Sequence, residues 1–127
     1  MSEDSFKLSP HPIVGVIPGD GVGPEIWSAT QPIIDRAVSL AYSDQRQIQW
    51  QVLSAGQSSY EQTGDWLPES TLAHIREHRL AIKGPLATPV GGGITSINVA
   101  LRRALDLFVC LRPIRWIPGV PSPVKDP

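Results

Sequence analysis

The sequence predicts an α/β fold, in which helices flank a layered sheet. Short runs with the composition of strands are separated by longer segments whose apolar residues follow the helical period. The chain has 127 residues, enough for one modest domain, and it contains no internal repeats. We therefore expect one α/β domain over residues 13–116, between an N-terminal tail at 1–12 and a proline-rich tail at 117–127.

The first predicted elements are a strand and a long helix. Ile13–Ile17 is a short apolar run bounded by Pro12 and Pro18, which is typical of a strand. A helix is expected from Gly23 to about residue 41. Its apolar residues recur at the spacing of one helix face: Val22, Ile26, Ala29, Ile33, Ala37 and Ala41. Pro32 lies well inside this helix and is expected to kink it or to interrupt a backbone hydrogen bond.

Three further elements follow before the glycine-rich part of the chain. Residues 48–53 alternate apolar and polar side chains, which predicts a half-exposed strand. Residues 68–78 are typical of a helix with proline in its first turn, and Leu72 and Ile75 are expected to point inward. The apolar run Leu80–Ile82 predicts another strand.

The last third of the chain contains a loop, a helix and a strand in this prediction. A loop that includes Gly91–Gly93 leads from Lys83 to a helix beginning near Ser96. A strand is expected at Leu107–Leu111. Cys110 lies among apolar neighbours in this run, so we expect its thiol to be buried and unreactive.

Composition excludes several classes of protein. Hydrophobic residues make up 41% of the chain, charged residues 18%, and the net charge is −1, so no global basic field favours nucleic acid. No apolar run approaches the length of a membrane span, and the acidic N-terminus lacks the pattern of a signal peptide. The single cysteine cannot form an internal disulfide, which favours a reducing cytoplasm.

The helix beginning near Ser96 predicts an anion site. Unpaired backbone N–H groups and the helix dipole favour negative charge at a helix start. Asn98 and Arg102 are four residues apart and share one helix face, and Arg112 is expected at the end of the following strand. A ligand with several carboxylates suits this set. The plainer alternatives are a flexible Gly91–Gly93 loop and solvated surface arginines.

Other candidate residues favour structural roles. Gly19–Gly23 follows a strand and opens a helix, so a phosphate loop and a tight turn are both possible; Pro24 directly after it favours the turn. His74 and His78 are one helical turn apart, where a solvated face is favoured over a metal-ligand pair. Arg103 and Arg115 are expected at the surface.

A long motif in the second half closely resembles the N-terminal part of NADP-dependent isocitrate dehydrogenase. Its pieces are Lys83–Leu86, Thr88–Pro89, Gly91–Ile94, Ser96, Asn98–Arg102, Asp106–Leu107, Arg112–Pro113, Arg115, Gly119 and Pro121–Pro123. Ile17–Gly23 is similar to the opening turn of the wider β-decarboxylating dehydrogenase group, and Trp66–Glu69 also matches. The resemblance implies the N-terminal portion of the isocitrate/isopropylmalate dehydrogenase fold, which is not a Rossmann fold, with the proline-rich tail leading to a further domain.

This resemblance implies a function and assigns residues to it. The reaction would be oxidative decarboxylation of isocitrate to 2-oxoglutarate in a homodimeric enzyme that uses NADP and Mg²⁺ or Mn²⁺. The implied substrate contacts are Thr88, Ser96, Asn98, Arg102 and Arg112. The implied cofactor contacts are Lys83, Leu86, Ala87 and Thr88, with Ala87 standing where the family commonly has threonine. Ser96 is also the implied target of a regulatory kinase.

The resemblance places no catalytic residue and no metal ligand within this chain. We therefore expect the 127-residue chain to be inactive alone. Two alternatives stay open at this point. One is a related dehydrogenase acting on 3-isopropylmalate or homoisocitrate. The other is a truncated homologue that binds a tricarboxylate or has a regulatory role without catalysis.

Overall fold

The computed structural model describes residues 9–87 and 96–121 of the chain. Its elements are β1 (Ile13–Ile17), α1 (Gly23–Tyr42), β2 (Gln49–Val52), α2 (Gln57–Thr63), α3 (Glu69–His78), β3 (Ala81–Lys83) and α4 (Ile97–Ala104). The strands form a parallel three-stranded sheet in the order β2-β1-β3. The α/β prediction is confirmed.

Strand β1 forms the centre of the sheet because its sequence is apolar on both faces. Val14, Val16 and Ile17 are each almost completely buried, as expected for a strand of a parallel sheet with both faces covered. Val16 pairs with Val52 of β2 on one side and with Ile82 of β3 on the other, so apolar residues of all three strands lie side by side across the sheet. The three predicted strands at 13–17, 48–53 and 80–82 are confirmed to within a residue or two.

Helix α1 is confirmed, but the apolar stripe identified from the sequence is not its packed face. Ile26 is 55% exposed and Ile33 is 69% exposed. The packed side carries Trp27, whose ring makes an edge-to-face contact with Trp50 at a centroid distance of 5.0 Å. Trp50 also donates a hydrogen bond from Nε1 to Asp35 at 2.8 Å, and these contacts select the packed face. The helix continues through Pro32.

Helix α2 was not predicted. Its seven residues, from Gln57 to Thr63, are polar, so no apolar period marks the helix. Gly56 precedes it with φ of 85° and Gly64 ends it with φ of 78°, both in the region that favours glycine. Helix α3 agrees with its prediction, since Leu72 is buried and Ile75 packs against the core.

The predicted strand Leu107–Leu111 is wrong. These residues have no regular secondary structure, and Phe108 is 96% exposed and Leu111 85% exposed. Cys110 is exposed as well, so its predicted burial is also wrong. A strand needs a neighbour for its backbone groups, and no described strand pairs with this segment. The apolar composition was therefore insufficient to define a strand.

One apolar core cluster lies at the carboxyl ends of β1 and β2. It is formed by side chains from several elements: Ile17, Leu53, Ala55, Leu86, Ile97 and Leu101. Because Ile97 and Leu101 come from α4, this helix is held against the carboxyl edge of the sheet, the edge at which open α/β sheets bind their ligands. No helix within residues 9–87 and 96–121 is long and apolar enough to cross a membrane.

Candidate functional site

Helix α4 orients the residues of the predicted anion site. Ser96 occupies its N-cap position, as expected, although its side chain makes no capping hydrogen bond. Ile97 is 2% exposed and Leu101 is 9% exposed, and both anchor the helix in the core. Asn98 and Arg102 directly follow these two anchors, so they share a face turned aside from the core, where Arg102 is exposed. The expected helix start and shared face are thus present.

Lys83 and Arg102 lie close enough for their charges to interact. Partial burial and the positive charge of Arg102 lower the pKa of Lys83, while the Asp20 carboxylate opposes this shift. Lys83 donates a hydrogen bond from Nζ to the carbonyl oxygen of Gly84 at 2.6 Å. The fold therefore places a residue of the implied cofactor set within electrostatic range of one from the implied substrate set. An anionic ligand between them would relieve their repulsion.

Leu86 and Ala87, the next two residues of the implied cofactor set, already make contacts within the protein. Leu86 is 8% exposed and belongs to the core, so its side chain is enclosed by protein. The backbone N–H of Ala87 donates to Oδ2 of Asp20 at 2.8 Å. Thr88 lies outside the described residues, as does the glycine-rich loop at 91–93.

Arg112 does not follow a strand end, which corrects the prediction that a strand would present it. It is fully exposed, and its Nε donates to Sγ of Cys110 at 3.4 Å. This hydrogen bond and the charge of Arg112 lower the pKa of the Cys110 thiol, with a smaller contribution from Arg102.

The two helical histidines are not both solvated, contrary to the sequence interpretation. His74 is partly buried, and its Nε2 is enclosed without a hydrogen-bond partner in the described parts of the chain. Its ring centroid lies 4.4 Å from that of His78. Burial and the charge of His78 lower the pKa of His74. Across residues 9–87 and 96–121, no three metal-binding side chains cluster.

Asp20 is the residue whose connections sequence reasoning missed. Its carboxylate accepts backbone hydrogen bonds from Gln57 at 2.9 Å and from Ala87 at 2.8 Å. The turn around it contains Gly19 with φ of 86° and Gly21 with φ of 59°, both in the region that favours glycine. The only sequence signal was an aspartate between two glycines after a strand.

The parallel sheet with flanking helices places this chain among the α/β proteins, and solved structures share its fold. It superposes on isocitrate dehydrogenase from Methylococcus capsulatus with a TM-score of 0.67 and 44% identity, covering 76% of this chain and 26% of that one. It superposes on a protein from Thermus thermophilus with a TM-score of 0.70 and 38% identity, covering 87% of this chain and 21% of that one.

The sequence comparison gives the family. Residues 13–127 match the isocitrate/isopropylmalate dehydrogenase family, and the chain belongs to it. It is 55% identical over 127 residues to the NADP isocitrate dehydrogenase of Staphylococcus epidermidis. This alignment covers 100% of the present chain and 30% of that protein. The chain spans about 30% of the length of the curated relatives it matches.

Proposed function

We propose that this chain forms the N-terminal part of an NADP-dependent isocitrate dehydrogenase, which oxidises the secondary alcohol of isocitrate and decarboxylates the product to 2-oxoglutarate. The observation that carries the proposal is 55% identity to an enzyme of that name across all 127 residues. The electrostatic interaction of Lys83 with Arg102 also supports it, because a tricarboxylate and a nucleotide phosphate are both anionic.

The residues of α4 bind and orient the substrate in this proposal. Asn98 and Arg102 contact carboxylates from their shared helix face, and the Arg102 guanidinium suits a carboxylate because its donors match both oxygens. Ser96 contributes its hydroxyl at the helix start, where phosphorylation by a regulatory kinase would add negative charge and repel the substrate. Arg112 contributes from the segment after α4, and contacts to both substrate and nicotinamide are assigned to Thr88.

The cofactor contacts come from the last residue of β3 and the segment that follows it. Lys83 contributes positive charge, while Leu86 and Ala87 contribute backbone surface, because the Leu86 side chain lies in the core. Mg²⁺ or Mn²⁺ would polarise the hydroxyl and carbonyl oxygens of the substrate. Within residues 9–87 and 96–121, no three metal-binding side chains lie together. A homodimer in a reducing cytoplasm completes the proposal, consistent with a single cysteine.

A chimeric enzyme tests this function. This chain replaces the corresponding segment of the Staphylococcus epidermidis enzyme, to which it aligns over 127 residues. We expect isocitrate-dependent NADPH formation by the chimera and none by the 127-residue chain alone. NADPH formation by the purified chain alone, or a folded chimera that prefers 3-isopropylmalate, would contradict the proposal.

Two arginines on the same helix provide a matched comparison. In the chimera, Arg102→Ala should raise the KM for isocitrate by about tenfold or more, the effect of losing a hydrogen bond between charged groups. Arg103→Ala removes the same charge from the next position and should have a much smaller effect. In the isolated chain, citrate should bind only weakly, near the millimolar range or about −4 kcal/mol, and should shift amide signals of α4. Equal effects of the two substitutions would show that the substrate site is not built on this helix face.

A further inference from the structure

The Asp20 carboxylate joins two segments that are distant in the sequence. Oδ1 accepts the backbone N–H of Gln57, 37 residues away, at 2.9 Å. Oδ2 accepts the backbone N–H of Ala87, 67 residues away, at 2.8 Å. Each oxygen thus has its own donor, and one side chain connects the start of α2 to the segment that follows β3.

The backbone around Asp20 lies directly on the same segment. The N–H of Asp20 donates to the carbonyl oxygen of Pro85 at 2.7 Å, and the N–H of Gly84 donates to the carbonyl oxygen of Ile17 at 2.7 Å. A Cβ atom on Gly56 would lie 2.5 Å from Oδ2 of Asp20 and 2.7 Å from Oδ1. The half-buried carboxylate is therefore fixed by two backbone donors and packs closely against Gly56, so its position is closely defined.

The negative charge of Asp20 and its hydrogen bonds have opposite expected effects on the binding of an anionic ligand. The carboxylate interacts with the Lys83 ammonium, which also senses Arg102. A negative charge at this place weakens the attraction of the basic pair for any anionic ligand. If electrostatics alone determined the role of Asp20, its neutralisation would improve the binding of an anion. If its hydrogen bonds are decisive, neutralisation would weaken binding, so the two effects are distinguishable by sign.

We propose that Asp20 is a positioning residue for the cofactor side of the site. Its carboxylate holds the N–H of Ala87 and so defines the path of the backbone from Lys83 through Ala87, the segment to which cofactor contacts are assigned. The inference rests on the proposed function, because that function gives the segment its ligand. Asp20 itself contacts no ligand and acts through the backbone it holds.

The test compares Asp20→Asn with Asp44→Asn in the chimera. Asparagine keeps one acceptor oxygen but presents an amide donor to the second N–H, so one of the two bonds is lost. Asp44 is exposed at the far end of α1, where it accepts a hydrogen bond from Ser39, and its substitution makes the same change in charge. We expect Asp20→Asn to raise the KM for NADP by about tenfold, the effect of one lost hydrogen bond to a charged group. The KM for isocitrate should change less, because the two carboxylate bonds of Asp20 go to Gln57 and Ala87 and not to α4.

Several outcomes overturn the inference. A lower KM for NADP in Asp20→Asn would show that the carboxylate acts only through its charge. Equal increases in both KM values, accompanied by a lower melting temperature, would show a general loss of structure. Asp44→Asn with the same effect as Asp20→Asn would show that net charge alone matters.

Asp20→Glu keeps the charge with a longer side chain and should also raise the KM for NADP, since the two bonds require the shorter side chain of aspartate.

Amide signals separate this inference from the function on which it rests. In the 127-residue chain, Asp20→Asn should shift the Gln57 and Ala87 signals and speed hydrogen exchange at Ala87, while Asp44→Asn should leave both unchanged. If the unsubstituted chimera forms no NADPH, the proposed function is wrong. The amide measurements then still decide whether Asp20 holds the segment, and unchanged Ala87 exchange would refute that.

Discussion

Replacing Gly84 by alanine tests how closely the turn after β1 lies on the segment after β3. A Cβ atom on Gly84 would overlap the carbonyl oxygen of Pro18 and lie 2.8 Å from its carbonyl carbon. Both atoms belong to the backbone, so rotation of a side chain cannot relieve the overlap. The two segments must separate, and the hydrogen bond from Gly84 N–H to the Ile17 carbonyl oxygen, now 2.7 Å long, should be lost.

The expected loss of stability combines three effects. Overpacking of this kind costs about 1–3 kcal/mol. A lost backbone hydrogen bond adds about 0.5–1.5 kcal/mol. Alanine restricts the unfolded chain more than glycine does, which returns about 0.4–1 kcal/mol. We therefore expect Gly84→Ala to lower the free energy of unfolding by about 2 kcal/mol, a large part of the roughly 5–15 kcal/mol of an ordinary domain.

Gly15→Ala is the matched control. Its Cβ would lie 2.7 Å from Cδ1 of Leu53, the end of a side chain that can rotate, and 3.3 Å from Cδ2 of His74. We expect it to cost at least about 1 kcal/mol less than Gly84→Ala, because a side chain moves more easily than a backbone. Urea unfolding followed by tryptophan fluorescence measures both, with an unchanged slope required for the comparison. Equal midpoints for the two variants would refute the close backbone approach at Gly84.

Three further predictions concern ionisable and aromatic side chains. Because the pKa of His74 is lowered in the fold below its ordinary value of 6.5, the unfolded state binds more protons below that pH. The urea midpoint should therefore fall as the pH is lowered below about 6.5. His74→Leu should make the midpoint depend less on pH. An identical pH profile in the variant would contradict this role of His74. Cys110 should react readily with a thiol reagent at neutral pH, and Arg112→Ala should slow the reaction because it removes the group that favours the thiolate; an unchanged rate would exclude that contact. Trp50→Phe and Asp35→Ala should each destabilise the chain by about 1 kcal/mol and show a coupling of about 0.5–1.5 kcal/mol in a double-mutant cycle, whereas additive effects would mean that their 2.8 Å hydrogen bond contributes nothing.

Local sequence patterns were sufficient to predict the elements that have a strong hydrophobic period or residues such as proline at their boundaries. The apolar run between Pro12 and Pro18 predicted β1, and the inward positions of Leu72 and Ile75 predicted α3. The start of α4 at Ser96 was also predicted correctly. In each case the signal lies within one turn or one strand of the chain, so the residues themselves determine the local conformation.

The face of α1, the existence of α2 and the state of residues 107–111 were decided by tertiary structure. The contact between Trp27 and Trp50 selects which side of α1 packs, although Ile26 and Ile33 form an equally plausible apolar stripe in the sequence. The segment 107–111 has the composition of a strand but no pairing partner among the described residues, and strand formation depends on a partner.

The candidate site divides in the same way. The sequence alone determined the family, the residue types of the basic set, and the common face of Asn98 and Arg102, because these depend on motif and helical spacing. Only the tertiary structure brought Lys83 within electrostatic range of Arg102 and the Asp20 carboxylate to Ala87, 67 residues away. Contacts over such separations leave no local period in a sequence, since they depend on how the sheet and its helices pack.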